Sequence, residues 1–252
     1  MPTPRPTATA HPVLCEDQES LSLAFEDGIV QSRMSTAEPL RLLVEYTRLM
    51  MAFLLFVPEP RRIAMIGLGG GSLAKYCRAH LPAADFTAIE IAAEVIRMRS
   101  LFAIPADGPQ FRVLCADGAD YLRATEDLFD VLLVDAFCCG GQPERVGRAA
   151  FYDDCAARLD EGGVLVVNLH SDDDDYGLYV RRIHTAFKGK IVVTNADDSE
   201  NRVVFASQAR VFPPSREQLI ERLRRLEPHH PVDLEAAARK ILKYTSHQPP
   251  PF

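Results

Sequence analysis

The sequence predicts an α/β fold built on a seven-stranded, mostly parallel sheet, and three observations support this fold class. Strand-like apolar runs alternate with helix-like segments from residue 61 to residue 205, which is the pattern of a doubly wound parallel sheet. A glycine-rich loop follows the first of these runs, where a strand would turn into a helix. Acidic residues close several of the runs, and ligands bind at the carboxyl ends of the strands in open α/β sheets.

The elements can be placed along the chain from their hydrophobic patterns. The strands of the sheet are predicted near residues 62–66, 85–90, 111–115, 130–135, 162–169, 190–194 and 202–206. The helix before the fifth strand is expected to end at 159–163, with a glycine as its left-handed cap. A small β-hairpin element is predicted over 13–35, with its turn at Glu26-Asp27-Gly28. A helix over 38–58 follows, because apolar residues recur there at helical spacing, and this stripe is expected to pack into the core.

Two helices are predicted after the sheet. Ser215 and Gln218 form a capping-box pattern ahead of an apolar stripe, and a last helix is expected over 234–243. The chain is therefore divided into a disordered leader over 1–12, an N-terminal β-hairpin and helix over 13–57, a Rossmann-like domain with C-terminal helices over 58–244, and a frayed tail over 245–252.

Composition narrows the classes of function. The chain has 252 residues, is 47% hydrophobic, and contains no apolar run long enough to span a bilayer. Its formal net charge of −7 argues against nucleic acid as the main partner, because phosphate binding needs a basic face. An acidic protein suits a cationic small molecule. Six scattered cysteines without a secretory signal indicate reduced thiols and a cytoplasmic location.

The glycine loop predicts a nucleoside site. Its spacing is Gly67-x-Gly69-x-Gly71, whereas a dinucleotide fingerprint would need its third glycine at position 72, which is serine. The spacing is typical of S-adenosylmethionine-type folds, in which the backbone approaches the ligand and the next helix offers N–H groups. Glu90 and Asp117 follow the next two strands, where such folds place carboxylates on the ribose hydroxyls and on the adenine amine.

Asp135 closes the fourth apolar run and is predicted to orient an attacking amine or to act as its base. The alternative is a strand-end acid that caps the next turn. Further candidates for substrate binding near this edge are Cys138, His170, Asp172 and Asp173. The acidic run over 172–175 would attract a cation or only supply acids to a helix N-terminus. Cys138 and its neighbour are expected to be pocket-lining thiols rather than a redox pair, and no spacing indicates a metal site.

These motifs resemble the spermidine/spermine synthase (polyamine aminopropyltransferase) family, in a divergent branch of bacterial spermidine synthase-like proteins. The likeness runs from residue 27 to residue 168, through the hairpin, the glycine loop and the strand-end acids. It implies a Rossmann-like class I methyltransferase fold, a homodimer, and transfer of an aminopropyl group from decarboxylated S-adenosylmethionine to a polyamine. It also implies nucleoside contacts for Gln31, Glu90 and Asp117.

The chain departs from the family pattern in the part of the site that would hold the amines. The family's glycine loop carries an Asp that holds the donor's amino group, and this position is Gly70 here. The family's catalytic segment carries a second Asp that deprotonates the attacking amine, and this position is Cys138. A Tyr-Gln pair is expected nine residues after Gln31, where this chain has Leu40-Arg41. A thiol replaces a carboxylate poorly as a base unless neighbours lower its pKa.

Three functions are therefore open. The first is aminopropyl transfer to a small-molecule amine, with Asp135 assisting the attack. The second is methyl transfer from S-adenosylmethionine itself, because Gly70 brings no negative charge next to a donor's carboxylate. The third is nucleoside binding without catalysis. In each case we expect S-adenosylmethionine or its decarboxylated form as the bound cofactor, no metal, and no nucleic-acid or membrane partner.

Overall fold

The computed structural model describes residues 12–24, 30–138 and 141–246, and the predicted α/β fold is confirmed. Its strands are β1 (Val13–Glu16), β2 (Ser20–Ala24), β3 (Val30–Ser35), β4 (Arg62–Ile66), β5 (Asp85–Glu90), β6 (Phe111–Cys115), β7 (Phe129–Val134), β8 (Leu159–His170), β9 (Ile191–Asn195) and β10 (Asn201–Ala206). Its helices are α1 (Glu45–Met50), α2 (Ser72–His80), α3 (Ala93–Arg97), α4 (Gly118–Ala124), α5 (Glu144–Gly147), α6 (Ala149–Ala157), α7 (Tyr176–Ala186), α8 (Arg216–Leu226) and α9 (Leu234–Ser246), with 3₁₀ turns at Met51–Leu55 and Glu227–His229.

Seven strands form the main sheet in the spatial order β6-β5-β4-β7-β8-β10-β9. The pairs from β6 to β8 are parallel, and β10 runs antiparallel to both of its neighbours. The order reverses between β4 and β7. After β4 the chain adds β5 and β6 on one side of that strand, and it then adds β7 and the later strands on the other side. Ligands bind at such a reversal in open α/β sheets, so the topology places the candidate site after β4 and β7.

The sheet separates two apolar clusters, and alternate residues of each strand belong to different clusters. Ile63 and Met65 of β4 pack on the side of the 3₁₀ turn at Met51–Leu55, while Ala64 and Ile66 pack on the opposite side. Strands buried on both faces are apolar at nearly every position. This explains why the sequence predicted their bounds to within a few residues.

The N-terminal element is a sheet of three antiparallel strands, β1-β2-β3, one strand more than the predicted hairpin. Its turn at residues 26–28 lies outside the described residues. Leu23 and Met34 belong to the same apolar cluster as Ile63 and Met65, so this small sheet packs on the main domain. Its last strand, β3, carries Gln31 and Ser32 to the glycine loop.

Two predicted helix bounds were wrong. The first helix begins at Glu45 rather than at Glu38, because Glu38 precedes a proline, which disfavours helical backbone, and its carbonyl closes a turn with the Arg41 N–H at 2.9 Å. The segment 159–163 is the start of β8 and not the end of a helix. There Gly162 has φ +81° beside a shift in the β7–β8 register, a conformation that favours glycine in an irregular strand.

The C-terminal helices agree with their sequence signals. The capping box at α8 is confirmed, since Ser215 Oγ accepts the Gln218 N–H at 3.3 Å and Gln218 Oε1 accepts the Ser215 N–H at 2.9 Å. The last helix, α9, continues to Ser246, three residues beyond its predicted end. Residues 1–11 of the predicted leader over 1–12, and residues 247–252 of the predicted tail over 245–252, lie outside the described residues. Among the helices in the described ranges, none has both the length and the apolar character needed to cross a membrane.

Candidate functional site

The loops that follow β4, β5 and β7 are joined to one another by backbone hydrogen bonds. The Gly67 N–H donates to the Ile89 carbonyl at 2.8 Å, and the Asp135 N–H donates to the Ile66 carbonyl at 2.9 Å. Adjacent parallel strands continue their ladder by one residue in this way before their loops diverge. The predicted glycine loop, Glu90 and Asp135 therefore lie side by side at the carboxyl edge of the sheet.

The glycine loop lies against the backbone of the residue that closes β7. Gly67 has φ +89°, and a β-carbon there would overlap the Asp135 backbone oxygen, so a larger residue would force the two loops apart. Gly69 and Gly71 also have positive φ. Gly71 directly precedes α2, and the first N–H groups of a helix have no partner within the helix.

Glu90 ties this loop to β5. It is buried, its Oε2 accepts the Leu68 N–H at 2.8 Å, and its Oε1 accepts the Ala92 N–H at 2.8 Å. Each carboxylate oxygen can accept more than one hydrogen bond. Glu90 thus holds the loop in shape and still has lone pairs for a ligand hydroxyl.

Asp117 is the N-cap of α4. Its Oδ1 accepts the N–H groups of Ala119 at 2.8 Å and Asp120 at 3.1 Å, and its Oδ2 accepts from Arg145 Nη1 at 2.9 Å. Arg145, on α5, also bonds to the Asp120 carboxylate. Arg145 belongs to no motif of the sequence, and it connects the segment after β7 to the predicted adenine-binding acid.

Asp135 is held by two side chains from distant elements. Its Oδ2 accepts from the Tyr46 hydroxyl at 3.2 Å, and its Oδ1 accepts from Asn168 Nδ2 at 2.9 Å. Burial raises the pKa of Asp135 from its ordinary value of 3.8 to about 6, although both hydrogen bonds act in the opposite direction. Burial and the neighbouring Asp135 raise the pKa of Tyr46 well above 10, so the phenol stays a hydrogen-bond donor at neutral pH.

The sequence motifs assign no role at the site to Tyr46 or to Asn168. Tyr46 was assigned to the packing stripe of the first helix, and the Tyr-Gln pair was sought at Leu40-Arg41, which lies in a turn before that helix. The signal for Asn168 was available, since it is an amide in an otherwise apolar strand next to a strand-end acid. The signal for Tyr46 was weaker, because tyrosine is also common in cores.

A cavity of about 20 Å³, room for about one water molecule, joins several of these residues. Its walls are Gln31, Ser32, Tyr46, Thr47, Met65, Leu68, Gly69, Ser72, Leu73 and Asp135. Three predicted site residues, Gln31, Gly69 and Asp135, thus meet at one place. Glu90 and Asp117 do not line this cavity, so the predicted residues form two groups along the edge of the sheet.

Gly70 lies where the family resemblance would place an aspartate, and its surroundings are closed. A β-carbon on Gly70 would be 2.6 Å from Ser32 Oγ and 3.0 Å from the Phe102 ring, closer than carbon atoms normally approach. An acid at this position would have to displace both side chains.

The remaining candidates lie on two loops in contact with each other. Cys138 is exposed, and its thiol donates to the Gly141 carbonyl at 3.4 Å. The His170 ring packs on Phe137 at 4.6 Å between centroids, and its Nδ1 is 3.7 Å from Asp172 Oδ1. Asp173 Oδ1 accepts the N–H of residue 175 at 2.9 Å, so this acid shapes the start of α7.

Two further observations concern what could bind here. Within the described ranges, no three His, Cys, Asp or Glu side chains converge in a group that could hold a metal ion. Gln142, next to the loop that contains Cys138, is only 2% exposed, and its side-chain amide has no hydrogen-bond partner among the described residues. No sequence motif marks Gln142 as a site residue. The second of the adjacent cysteines, at position 139, lies outside the described residues.

The strand order, the glycine loop and the antiparallel β10 define a protein of the Rossmann-like class I methyltransferase fold. A family profile described as the spermine/spermidine synthase domain matches residues 44–172. A polyamine aminopropyltransferase from Neisseria meningitidis serogroup A is 33% identical over 225 residues, which cover 88% of this chain and 84% of that protein. The chain belongs to the spermine/spermidine synthase family, as the motifs predicted.

Solved structures agree on the fold. A probable spermidine synthase from Corynebacterium glutamicum superposes with a TM-score of 0.71 at 19% identity, over 94% of this chain and 95% of that one. A spermidine synthase in complex with the transition-state analogue AdoDATO superposes with a TM-score of 0.68 at 19% identity, over 91% and 84%. At these identities the likeness concerns the fold.

Proposed function

We propose that this protein transfers an aminopropyl group from decarboxylated S-adenosylmethionine to a small-molecule amine. The observation that carries the proposal is the desolvated Asp135, bonded to Tyr46 beside the glycine loop in a chain of the spermine/spermidine synthase family. The N. meningitidis relative is named a polyamine aminopropyltransferase. The similar spermidine synthase structure contains an analogue of the transition state of such a transfer.

The donor's nucleoside would lie along the tips of β4, β5 and β6. The N–H groups at the start of α2 and the backbone of the glycine loop would approach the ribose and the sulfonium arm. Glu90 would accept hydrogen bonds from the ribose hydroxyls through its remaining lone pairs, and Asp117 would meet the adenine amine at the start of α4. Gln31 contributes from the N-terminal sheet, because it shares a cavity with Gly69.

The transfer is an in-line displacement at carbon. The neutral amine nitrogen attacks the methylene carbon next to the sulfonium, the C–N bond forms, the C–S bond breaks, and its electron pair returns to sulfur to give methylthioadenosine. The amine loses one proton in this step. Positioning supplies much of the rate in such a reaction, and the remaining task is the removal of that proton.

Asp135 is the group that accepts the proton. A carboxylate with a pKa of about 6 is ionised at neutral pH and is a better base than an exposed carboxylate near 4. Tyr46 and Asn168 each donate to it, so they fix the direction of its free lone pairs. Cys138 takes no part as a base, because its exposed thiol lies on a turn and donates to the Gly141 carbonyl.

Methyl transfer is the second candidate, and the environment of Gly70 favours it. Residue 70 is glycine, so it offers no acid for the amino group of a decarboxylated donor, and Ser32 and Phe102 occupy the space around it. A donor that keeps its carboxylate meets no negative charge at that position.

Calorimetry with three ligands tests the proposal: S-adenosylmethionine, its decarboxylated form and methylthioadenosine. Tighter binding of the decarboxylated donor, with release of methylthioadenosine in the presence of a linear diamine or triamine, is the expected result. Preference for S-adenosylmethionine with methylation of an acceptor would replace aminopropyl transfer by the second function. Binding of methylthioadenosine without turnover across an amine panel would favour a nucleoside-binding protein without catalysis.

The proposal also keeps two expectations of the family resemblance, a homodimer and a cytoplasmic location. Light scattering on the purified full chain measures the first. Cell fractionation with an antibody against the chain measures the second.

A further inference from the structure

Asp135 and Tyr46 form a hydrogen-bonded pair. One loop bonds to Asn168, which supports Asp135, and to Glu45, which precedes Tyr46. It comprises the connection between β9 and β10, residues 196–200, together with Asn201, the first residue of β10, and we call it the β9–β10 loop. It closes with a hydrogen bond from the Ala196 N–H to the Asn201 carbonyl at 3.0 Å. It belongs to the antiparallel part of the sheet and not to the strands that carry the glycine loop and the two nucleoside acids.

The first connection is a line of side-chain hydrogen bonds from the loop to Asp135. Ser199 Oγ donates to Asn201 Oδ1 at 2.8 Å, Asn201 Nδ2 donates to Asn168 Oδ1 at 2.9 Å, and Asn168 Nδ2 donates to Asp135 Oδ1 at 2.9 Å. Asn168 and Asn201 are 1% and 5% exposed, so water cannot replace a missing partner. Buried amides without partners are costly.

The chemistry of the groups fixes the direction of this line. An ionised carboxylate only accepts hydrogen bonds, so Asn168 must present its NH₂ group to Asp135. Its oxygen then faces Asn201, which must present its own NH₂ group in turn. Asn201 therefore supports the Asn168 orientation that the carboxylate requires, because it donates to the Asn168 oxygen, although Asn201 itself does not contact Asp135.

The second connection reaches Tyr46 through Glu45, the first residue of α1. Glu45 Oε2 accepts the N–H groups of Asp197 at 2.6 Å and Asp198 at 3.1 Å. Lys240 Nζ, on α9, lies 3.0 Å from Glu45 Oε1 and 2.7 Å from Asp197 Oδ1. Glu45 is largely buried, and these bonds attach the start of α1 to the β9–β10 loop. Tyr46 is the next residue.

We propose that the β9–β10 loop positions the Asp135–Tyr46 pair for proton transfer, with Asn201 and Glu45 as its positioning residues. This inference rests on the proposed function, in which Asp135 accepts a proton from the amine. One oxygen of Asp135 is directed by the line through Asn201, and the other is bonded to Tyr46, whose helix is held through Glu45. Asp135 and Tyr46 are 89 residues apart in the sequence. Among the described residues, the β9–β10 loop bonds both to Asn168 behind Asp135 and to Glu45 beside Tyr46.

Few titratable or charged groups bond to Asp135 or to Glu45 among the described residues. Among the described residues, the titratable group that bonds to Asp135 is Tyr46, and the amide that bonds to it is Asn168. The charged groups paired with Glu45 are Lys240 and, through Lys240, Asp197. A change in the pKa of Asp135 after a substitution at Asn201 is therefore transmitted through Asn168.

The first test compares Asn201→Ala with Asn195→Ala, a matched control whose side chain is exposed on the same hairpin. The pKa of Asp135 is measured by carboxyl-carbon NMR, with the resonance assigned from Asp135→Asn. Loss of the Asn201 amide frees Asn168 to rotate and weakens its bond to the carboxylate, so we expect the pKa of Asp135 to rise by about 0.5–1 unit. The control should leave it unchanged. An unchanged pKa in folded Asn201→Ala would overturn the inference.

The second test uses the pH dependence of kcat in the same variants. The acid limb of the profile should move to higher pH together with the NMR pKa, and kcat at pH 6 should fall about 2- to 5-fold while the dissociation constant of the nucleoside stays the same. A purely structural role for Asn201 would lower kcat at all pH values without moving the limb. If Asn201→Ala does not fold, Ser199→Ala removes only the last bond of the line and should shift the limb in the same direction by less.

The connection through Glu45 is tested by Glu45→Ala and by the conservative Glu45→Gln. Glutamine keeps an oxygen for the two loop N–H groups, so it should restore most of the kcat that alanine loses. Equal loss in both variants would assign the effect to the Lys240 ion pair instead of the loop and would overturn this part of the inference. The NMR measurement needs no turnover, so a moved pKa in a protein without transferase activity would retain the positioning role and refute only the proposed function.

Discussion

The acids of the nucleoside part bond mainly to backbone N–H groups, whereas the acid of the amine part bonds to side chains of separate elements. Asp117 accepts from N–H groups two and three residues away, and one oxygen of Glu90 does the same. Asp135 instead bonds to partners 89 and 33 residues away. Asp135 is also desolvated, and burial raises its pKa to about 6. The first part is thus suited to holding a ligand, and the second to moving a proton.

The largest expected effect is the loss of activity in Asp135→Asn. If the amine part performs the proton transfer, kcat should fall about 10²- to 10⁴-fold with little change in the dissociation constant of methylthioadenosine, which the other part binds. Steady-state kinetics with the decarboxylated donor and an amine measure the first, and calorimetry measures the second. Asp153→Asn, an exposed acid on α6, is the matched control. Retention of more than a tenth of the wild-type kcat would remove the functional difference between the two parts.

The same substitution should stabilise the protein at alkaline pH. The pKa of Asp135 is about 6 in the folded state against an ordinary 3.8, so the ionised side chain disfavours folding above pH 6. This cost falls as the pH drops through 6 and is nearly gone near pH 4, where the side chain is protonated in the folded state and about half protonated in the unfolded state. Asp135→Asn should therefore be more stable than wild type by about 1–3 kcal/mol at pH 8 and equal to it near pH 4.

Urea unfolding at the two pH values measures this difference in the free energy of unfolding. Asp153→Asn should match wild type at both. A variant that is destabilised at pH 8 would mean that the carboxylate is stabilised by its two hydrogen bonds more than burial disfavours it.

Substitutions in the nucleoside part should weaken ligand binding instead of lowering kcat. Glu90→Ala and Asp117→Ala each remove a hydrogen-bonded acid, so each should weaken binding of methylthioadenosine by about 1–3 kcal/mol. Asp117→Ala should also lower the free energy of unfolding by about 1 kcal/mol, because it removes the N-cap of α4. Calorimetry and urea unfolding measure the two quantities. Unchanged affinity in both variants would place the nucleoside elsewhere.

The difference between the two parts also explains what the sequence could predict. Buried parallel strands and turn glycines are local signals, so the sheet, the glycine loop, Glu90 and Asp117 could be placed from the pattern alone. The N-cap at Asp117 is a property of the few residues around it. Even Asp135 follows from its place at the end of an apolar run, since the strand and its last acid are contiguous.

Tyr46 and the residues that support Asn168 could not be predicted in the same way. Tyr46 is brought to Asp135 by the packing of α1, and that packing depends on contacts of Glu45 with a loop more than 150 residues later. Asn201 reaches Asn168 only because β10 lies between β8 and β9 in the sheet. Hydrophobic periodicity predicts that such elements exist, but it carries no information about which polar side chains they bring together.

The smallest expected effect belongs to Cys138→Ser and Cys138→Asp, and it sharpens the assignment of the base. The family resemblance implied that a catalytic acid belongs at this position, whereas the thiol is exposed and bonded to the Gly141 carbonyl on its own turn. A serine hydroxyl can donate to the same carbonyl, so Cys138→Ser should change kcat by less than about twofold. Steady-state kinetics at pH 6 and pH 8 check this. If Cys138→Ser lost activity as strongly as Asp135→Asn, or if Cys138→Asp moved the acid limb of the pH profile away from 6, the proton would be accepted at residue 138. The raised pKa of Asp135 would then be a consequence of burial without a catalytic role.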